Sequence, residues 1–239
     1  MFGRRKVAAL VGEFIGTGAL TLLVLSVQRS TIGVPFFVAA AAGLTLALMI
    51  FAMGRVTGGY FNPAIVIAFW TARKISTITT VLYVVVQLLG AWGAYYLYTY
   101  FVKNDLQPIG GHFTARILTA EAIGTGLFAF GVAAAVYQRV SIAVTASFAG
   151  VALMLGAIAA SSASLGLLNP AVALGARAWV WGTYVLGPVI GAVIGVNLYA
   201  LLFAEADKNA VSVSSAVKAA VTGKKPAKSA KKKTSKKKK

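Results

Sequence analysis

The triplets Asn62-Pro63-Ala64 and Asn169-Pro170-Ala171 each set a carboxamide at the head of a short apolar run. Asn is among the best helix N-caps, and Pro suits the first helical turn, where its missing N–H costs nothing. Each triplet therefore reads as a helix start that presents an amide NH₂ donor. Other chemistry is poorly supplied. There is no cysteine, hence no disulfide framework, thiol nucleophile or thiolate metal site. The single histidine, His112, lies in a polar stretch without a neighbouring carboxylate cluster, too little for a metal site. No enzymatic activity, cofactor or metal is expected.

The elements that must hold these amides are built for a membrane. Of 239 residues, 59% are hydrophobic, and the mean hydropathy of +0.81 exceeds what one soluble core requires. A bilayer core about 30 Å thick needs roughly 20 helical residues. Six segments qualify, about 7–27, 36–53, 78–102, 117–137, 141–160 and 182–204. The first follows a basic start, as in a signal peptide, but its length and Glu13 make it an uncleaved span. Asn62 to Ala72 and Asn169 to Val180 are too short to cross and read as half-spans. The fold class is thus an all-α membrane protein with six transmembrane helices and two re-entrant half-helices.

Internal repetition relates the pieces. Glu13-Phe-Ile-Gly-Thr-Gly18 recurs as Glu121-Ala-Ile-Gly-Thr-Gly126, Asn62-Pro-Ala recurs as Asn169-Pro-Ala, and Tyr83-x-x-x-Gln-x-x-Gly-Ala91 echoes Tyr184-x-x-x-Pro-x-x-Gly-Ala192. The similarities occur in one order at nearly one offset. They divide a channel domain, residues 1–205, into repeats of about 7–102 and 117–204. Three spans per repeat oblige the second copy to enter from the other side, so the repeats are inverted. With a cytoplasmic N-terminus, Arg4, Arg5, Lys6, Arg55, Arg73, Lys74 and Arg139 fall inside, against Arg29, Lys103, Arg116 and Arg177 outside. That bias places both termini in the cytoplasm of a multi-pass cell-membrane protein.

Non-helical backbone cannot face lipid, so the loops before Asn62 and Asn169 must lie within the bundle. Half-helices entering from opposite sides meet at the midplane, each presenting its positive dipole end and an amide donor. Such a centre accepts the oxygen of a neutral molecule, opposes a cation, and interrupts proton hopping along a water file.

The paired Asn-Pro-Ala motifs, the E-x-I-G-T-G openings and Gly58-Gly-Tyr-Phe-Asn-Pro-Ala64 resemble the aquaporin, or major intrinsic protein, family over about residues 5–204. The resemblance implies a right-handed six-helix bundle, usually a homotetramer with one pore per subunit, and it matches Asn62 and Asn169 to the two pore asparagines. It also shows departures. Where the family typically has Arg after the second triplet stands Val172, and the other filter positions fall on Ala42, Ala157 and Gly166. The expected filter is wide and apolar. Arg177 lies too far along to substitute and reads as interfacial. Tyr60 stands where His is common and either narrows the cytoplasmic vestibule or packs locally.

Glu13 and Glu121, carboxylates inside spans, are expected to accept hydrogen bonds from orphaned N–H groups of the re-entrant loops; ion coupling is the rival role. Gly12/Gly16 and Gly187/Gly191/Gly195 read as packing seams, and Tyr95, Tyr96, Tyr98, Tyr100 and Phe101 as an interfacial belt. From residue 206 the chain becomes a Lys-rich cytoplasmic tail, too charged to fold alone. It is a solvated topology signal, an attachment to anionic lipid headgroups, or, less favoured for want of base-stacking residues, a nucleic-acid contact. Three functions are compatible with these features: a passive channel for water or small neutral solutes (glycerol, urea, ammonia), an ion-leaky or gated channel on the same fold, and a membrane tether acting through the tail.

Overall fold

The computed structural model describes residues 3–109 and 111–204. The Lys-rich tail that the sequence sets apart lies outside these residues. In chain order the helices are α1 (Arg4–Gln28), α2 (Pro35–Thr57), α3 (Pro63–Thr71), α4 (Thr77–Val102), α5 (Ala115–Tyr137), α6 (Ile142–Ala160), α7 (Pro170–Gly175) and α8 (Leu186–Phe203). A π-helical turn, Trp181–Val185, leads into α8. Its cause is Pro188: the ring has no N–H to give Tyr184 and crowds that carbonyl, so the preceding turn widens. Counting that turn with α8, six helices among the described residues are long and apolar enough to cross a membrane.

The packing follows the internal repeat. Helix α1 lies on α4 as α5 lies on α8, and α2 crosses α6 between the repeats. Each half-helix packs on the last helix of the other repeat, α3 on α8 and α7 on α4. Large apolar side chains such as Leu44, Ile78, Val81, Ile123 and Leu201 remain on the outer surface, the arrangement expected where lipid replaces water.

Small residues set how close the helices come. A Cβ on Gly43 would lie 2.5 Å from the Gly150 carbonyl oxygen, and one on Gly150 equally close to that of Gly43. The α2–α6 crossing is therefore a backbone-to-backbone contact in which dispersion, not water release, holds the repeats together.

Two expectations change. The second half-helix ends at Gly175, not near Val180. Arg177 adopts φ 61°, its N–H bonds the Leu174 carbonyl at 3.1 Å, and the Ala178 N–H bonds that of Ala173 at 2.9 Å. This is a Schellman closure, which ends a helix whatever the apolar content beyond it. The same closure stops α3, with Arg73 at φ 58°. The aromatic belt is divided: Tyr96, Tyr100 and Phe101 face outward, but Tyr95 and Tyr98 are buried, because helical periodicity turns alternate members of the cluster inward.

Gly150→Leu should overpack the α2–α6 crossing. Thermal unfolding in detergent, followed by tryptophan fluorescence, is expected to show a loss of about 2 kcal/mol or more; an unchanged melting temperature would mean that the crossing can open at no cost.

Candidate functional site: a crossed pair of carboxamides

Each asparagine is placed by its own helix and held by the opposite loop. Asn62 is the N-cap of α3 (φ −156°) and accepts the Ala64 N–H through its side-chain oxygen at 2.8 Å. Asn169 caps α7 (φ −147°) and accepts from Ala171 N at 3.0 Å and Val172 N at 3.4 Å. With the oxygens so engaged, the NH₂ groups point away from their own helices. Asn62 Nδ2 donates to the Leu168 carbonyl at 2.9 Å, and Asn169 Nδ2 donates to the Phe61 carbonyl at 2.9 Å. Both amides are 2% exposed. Since an NH₂ carries two N–H bonds, each asparagine keeps one donor beyond the crossed pair.

The carbonyls that receive them belong to residues in an unusual conformation. Phe61 has φ 46° and Leu168 φ 52°, a left-handed geometry that costs about 1–2 kcal/mol for a residue with a side chain. Two devices hold it. The first is a carboxylate: Glu13 accepts the Tyr60 N–H at 3.1 Å and the Phe61 N–H at 2.7 Å, while Glu121 accepts the Leu167 N–H at 3.1 Å and the Leu168 N–H at 2.8 Å. Gln87 adds a third donor to Glu13 at 2.8 Å; its counterpart beside Glu121 is Pro188, which has none to give. The second device is a slot. A Cβ on Gly16 would run into the Phe61 ring, and one on Gly124 would lie 2.8 Å from Leu168 Cδ2. The E-x-I-G pattern thus supplies both: the Glu clamps the N–H, and the Gly one turn on admits the side chain of the same left-handed residue.

Outward from Asn169 lies a cavity of about 20 Å³. Ala42, Ala157, Gly166 and Val172, the four positions singled out by sequence, all line it. Its walls are apolar, but its breadth differs from expectation, since about 20 Å³ of such space holds roughly one water. The four positions are small, yet Leu20 and Val24 from α1, Leu153 one turn before Ala157, and Leu165 and Leu167 on either side of Gly166 close on the space. Sequence reading missed these five, whose only signal is ordinary helical or loop hydrophobicity. Gly166 is fixed by backbone: its φ is 62°, and a Cβ there would meet the Ala157 carbonyl oxygen at 2.6 Å.

On the far side of the crossed pair, Tyr60 packs between Phe69 and Tyr83, with ring centroids 5.7 and 6.0 Å away. Its N–H is one of the two that Glu13 holds. Tyr83 fixes the start of the same loop by donating its hydroxyl to the Thr57 carbonyl at 2.7 Å. Among the described residues no cluster of three metal-ligating side chains occurs.

Six membrane-length helices in two inverted repeats, with half-helices whose capping amides cross at the centre of the bundle, define a membrane channel scaffold and not a catalytic site. The comparison with known proteins agrees. The family model for "Major intrinsic protein" matches residues 4–199, so the chain belongs to the major intrinsic protein family, whose members are channels and not enzymes. Among its relatives are Aquaporin Z of Photorhabdus laumondii, 28% identical over 228 residues covering 84% of this chain and 98% of that protein, and Nodulin-26 of Glycine max, 32% identical over 216 residues covering 83% and 77%. The X-ray structure of the aquaglyceroporin from Plasmodium falciparum superposes with a TM-score of 0.73 at 18% identity, over 86% of this chain and all of that one, and shows the shared fold.

Glu121→Ala leaves the buried Leu167 and Leu168 N–H groups without acceptors, at about 1–3 kcal/mol each. Melting in detergent should fall by an amount of that order, and Glu121→Gln, which keeps a single acceptor oxygen, should lie between. Equal stability of all three proteins would remove the clamp from the account.

Proposed function

We propose that the protein is a passive channel for water and the smallest neutral solutes, with Asn62 and Asn169 as the central donors. The observation that carries this reading is the crossed amide pair, which leaves one N–H on each asparagine, with Asn169 lining an apolar cavity that holds about one water. A molecule passing there meets two donors and few acceptors. Water can turn its lone pairs to the amides and lose its hydrogen-bonded continuity with the file, which opposes proton hopping. A cation meets the positive ends of two short helices and little to replace its hydration shell.

Ala42, Ala157, Gly166 and Val172, together with the leucines that crowd them, form the filter in this reading. It sorts by size, because its walls offer few hydrogen bonds. Water and ammonia fit; urea and glycerol require the lining to yield. Tyr60 narrows the opposite vestibule, and Glu13 and Glu121 are structural. The relatives' names, aquaporin and aquaglyceroporin, support the solute class. Both termini are cytoplasmic, supported by the basic bias of the inner loops. The assembly is a homotetramer with one pore per subunit, by analogy with the family. Twelve Lys residues from Lys208 onward give the tail an affinity for anionic headgroups.

One observation favours a second reading, an ion-leaky channel on the same fold: the position after Ala171 is Val172, so no charge stands in the filter itself.

Stopped-flow light scattering on proteoliposomes separates these. Water and ammonia should permeate about tenfold faster than through empty vesicles, with glycerol slowest; rates equal to empty vesicles for every solute would reject a channel. Val172→Arg, which drives a long side chain into the cavity, should cut urea and glycerol flux by about tenfold, and unchanged flux would put the constriction elsewhere.

A further inference from the structure

The filter position next to the second triplet is uncharged, but the fold brings a guanidinium to the pore mouth from another element. Arg29, one residue beyond α1, lines a cavity of about 320 Å³ together with Gln28, Pro35, Val38, Ser161 and Leu165. Pro35, Val38, Ser161 and Leu165 also line the filter cavity. The two are successive compartments of one path, and among the described residues no carboxylate lines either of them.

The side chain is tethered there. Arg29 Nη2 donates to the Gln107 carbonyl at 3.2 Å and to the Ala176 carbonyl at 3.4 Å, spanning the α4–α5 connection and the end of α7. The Ile109 N–H closes the same strap on the Arg177 carbonyl at 2.8 Å. Arg177, nearer to Val172 in sequence, lines neither cavity and sits 5.7 Å from the centre of the Tyr95 ring. Of the two arginines beside α7, only Arg29 faces the permeation path.

We infer that Arg29 is a specificity-determining residue of this channel: a fixed positive charge in the outer vestibule takes over the cation exclusion that position 172 does not provide, one compartment further out. Apolar walls concentrate the field of this charge in the compartment, whereas in open solvent it would fade over about 8 Å. Charge selection and size selection are thereby divided, Arg29 repelling cations at the mouth and the apolar ring sieving the neutral molecules that enter. This role of Arg29 rests on the protein being a channel.

The chain has no cysteine, so Ser161→Cys creates a unique thiol on the wall shared by the two compartments. Its reaction rates with sulfonate-bearing and ammonium-bearing methanethiosulfonates, normalised to a small free thiol, report the local potential without requiring flux. The sulfonate should be favoured by about tenfold, and adding Arg29→Gln should bring the ratio close to one. A ratio near that of the free thiol before Arg29 is touched, or one that Arg29→Gln leaves unchanged, overturns the inference. In planar bilayers, Arg29→Gln and Arg29→Glu should raise potassium conductance by about tenfold or more, with Arg29→Lys near the parent. Equal leak in the Lys and Gln variants would reduce Arg29 to a structural tie, and no leak in any variant would also overturn the role. Water flux of the unmodified protein, measured alongside, tells a failed channel reading from a failed Arg29 assignment.

Discussion

The structure depends on giving partners to a few peptide groups where neither water nor a helix can supply them. Two loops must abandon helical geometry deep in the bundle so that two half-helices can begin there, and every N–H and C=O exposed by that step must be satisfied by protein. Four bonds do this for the peptides flanking Asn62, and their four counterparts do it for those flanking Asn169, where the Val172 N–H adds a fifth. The Glu carboxylate accepts two successive N–H groups, the asparagine oxygen accepts an N–H of its own helix, and the asparagine NH₂ donates to the carbonyl of the opposite loop. The second repeat does the same with its own residues. Each such bond contributes about 0.5–1.5 kcal/mol net, so the set together offsets the left-handed backbone at Phe61 and Leu168. The reciprocal amide bonds make each loop a support for the other, so neither half-site is complete alone.

The two repeats share this frame and differ around it. Gln87 donates to the first carboxylate, while the matching position in the second repeat is Pro188, which has no donor and widens the turn at the head of α8. Helix α3 runs nine residues and α7 six, both closed by an arginine in left-handed geometry. The shorter half-helix leaves an extended passage to Trp181, and in that room Arg29 reaches the carbonyl at the end of α7. The asymmetry lies on the side of the molecule that holds the narrow apolar cavity, so the inverted frame is kept at the centre and varied at the mouth.

Much of this was legible in the sequence because it is local. Asn before Pro announces a capped helix, half-membrane length announces a re-entrant segment, and matched motifs at one offset announce inversion. The carboxylates were legible as acceptors for the loops, and the cavity collects the four small residues that the motif spacing picks out. The rest depends on partners distant in sequence, 48 and 47 residues away for the carboxylate clamps and 106 and 108 for the crossed amides. No propensity marks Phe61 or Leu168 for positive φ; that conformation exists because Glu13 or Glu121 and a glycine one turn later hold it. The narrowness of the cavity comes from Leu20 and Val24 on α1 and from Leu153, Leu165 and Leu167 beside Ala157 and Gly166, which the four small positions alone do not reveal. The end of α7 at Gly175 is set by a turn whose pivot is an arginine, where sequence reasoning looks for glycine or asparagine. Arg29 reads in sequence as one more loop cation, and only the closing of the α4–α5 connection over α7 brings it to the path.

The most direct measurement is a map of the protein in lipid at a resolution that shows ordered water. Asn62 Nδ2 should lie on the Leu168 carbonyl and Asn169 Nδ2 on the Phe61 carbonyl, with a water within about 3 Å of both nitrogens on the sides not used by those bonds. Amides rotated off the opposite carbonyls, or a dry gap filled by side chains between them, would contradict this arrangement.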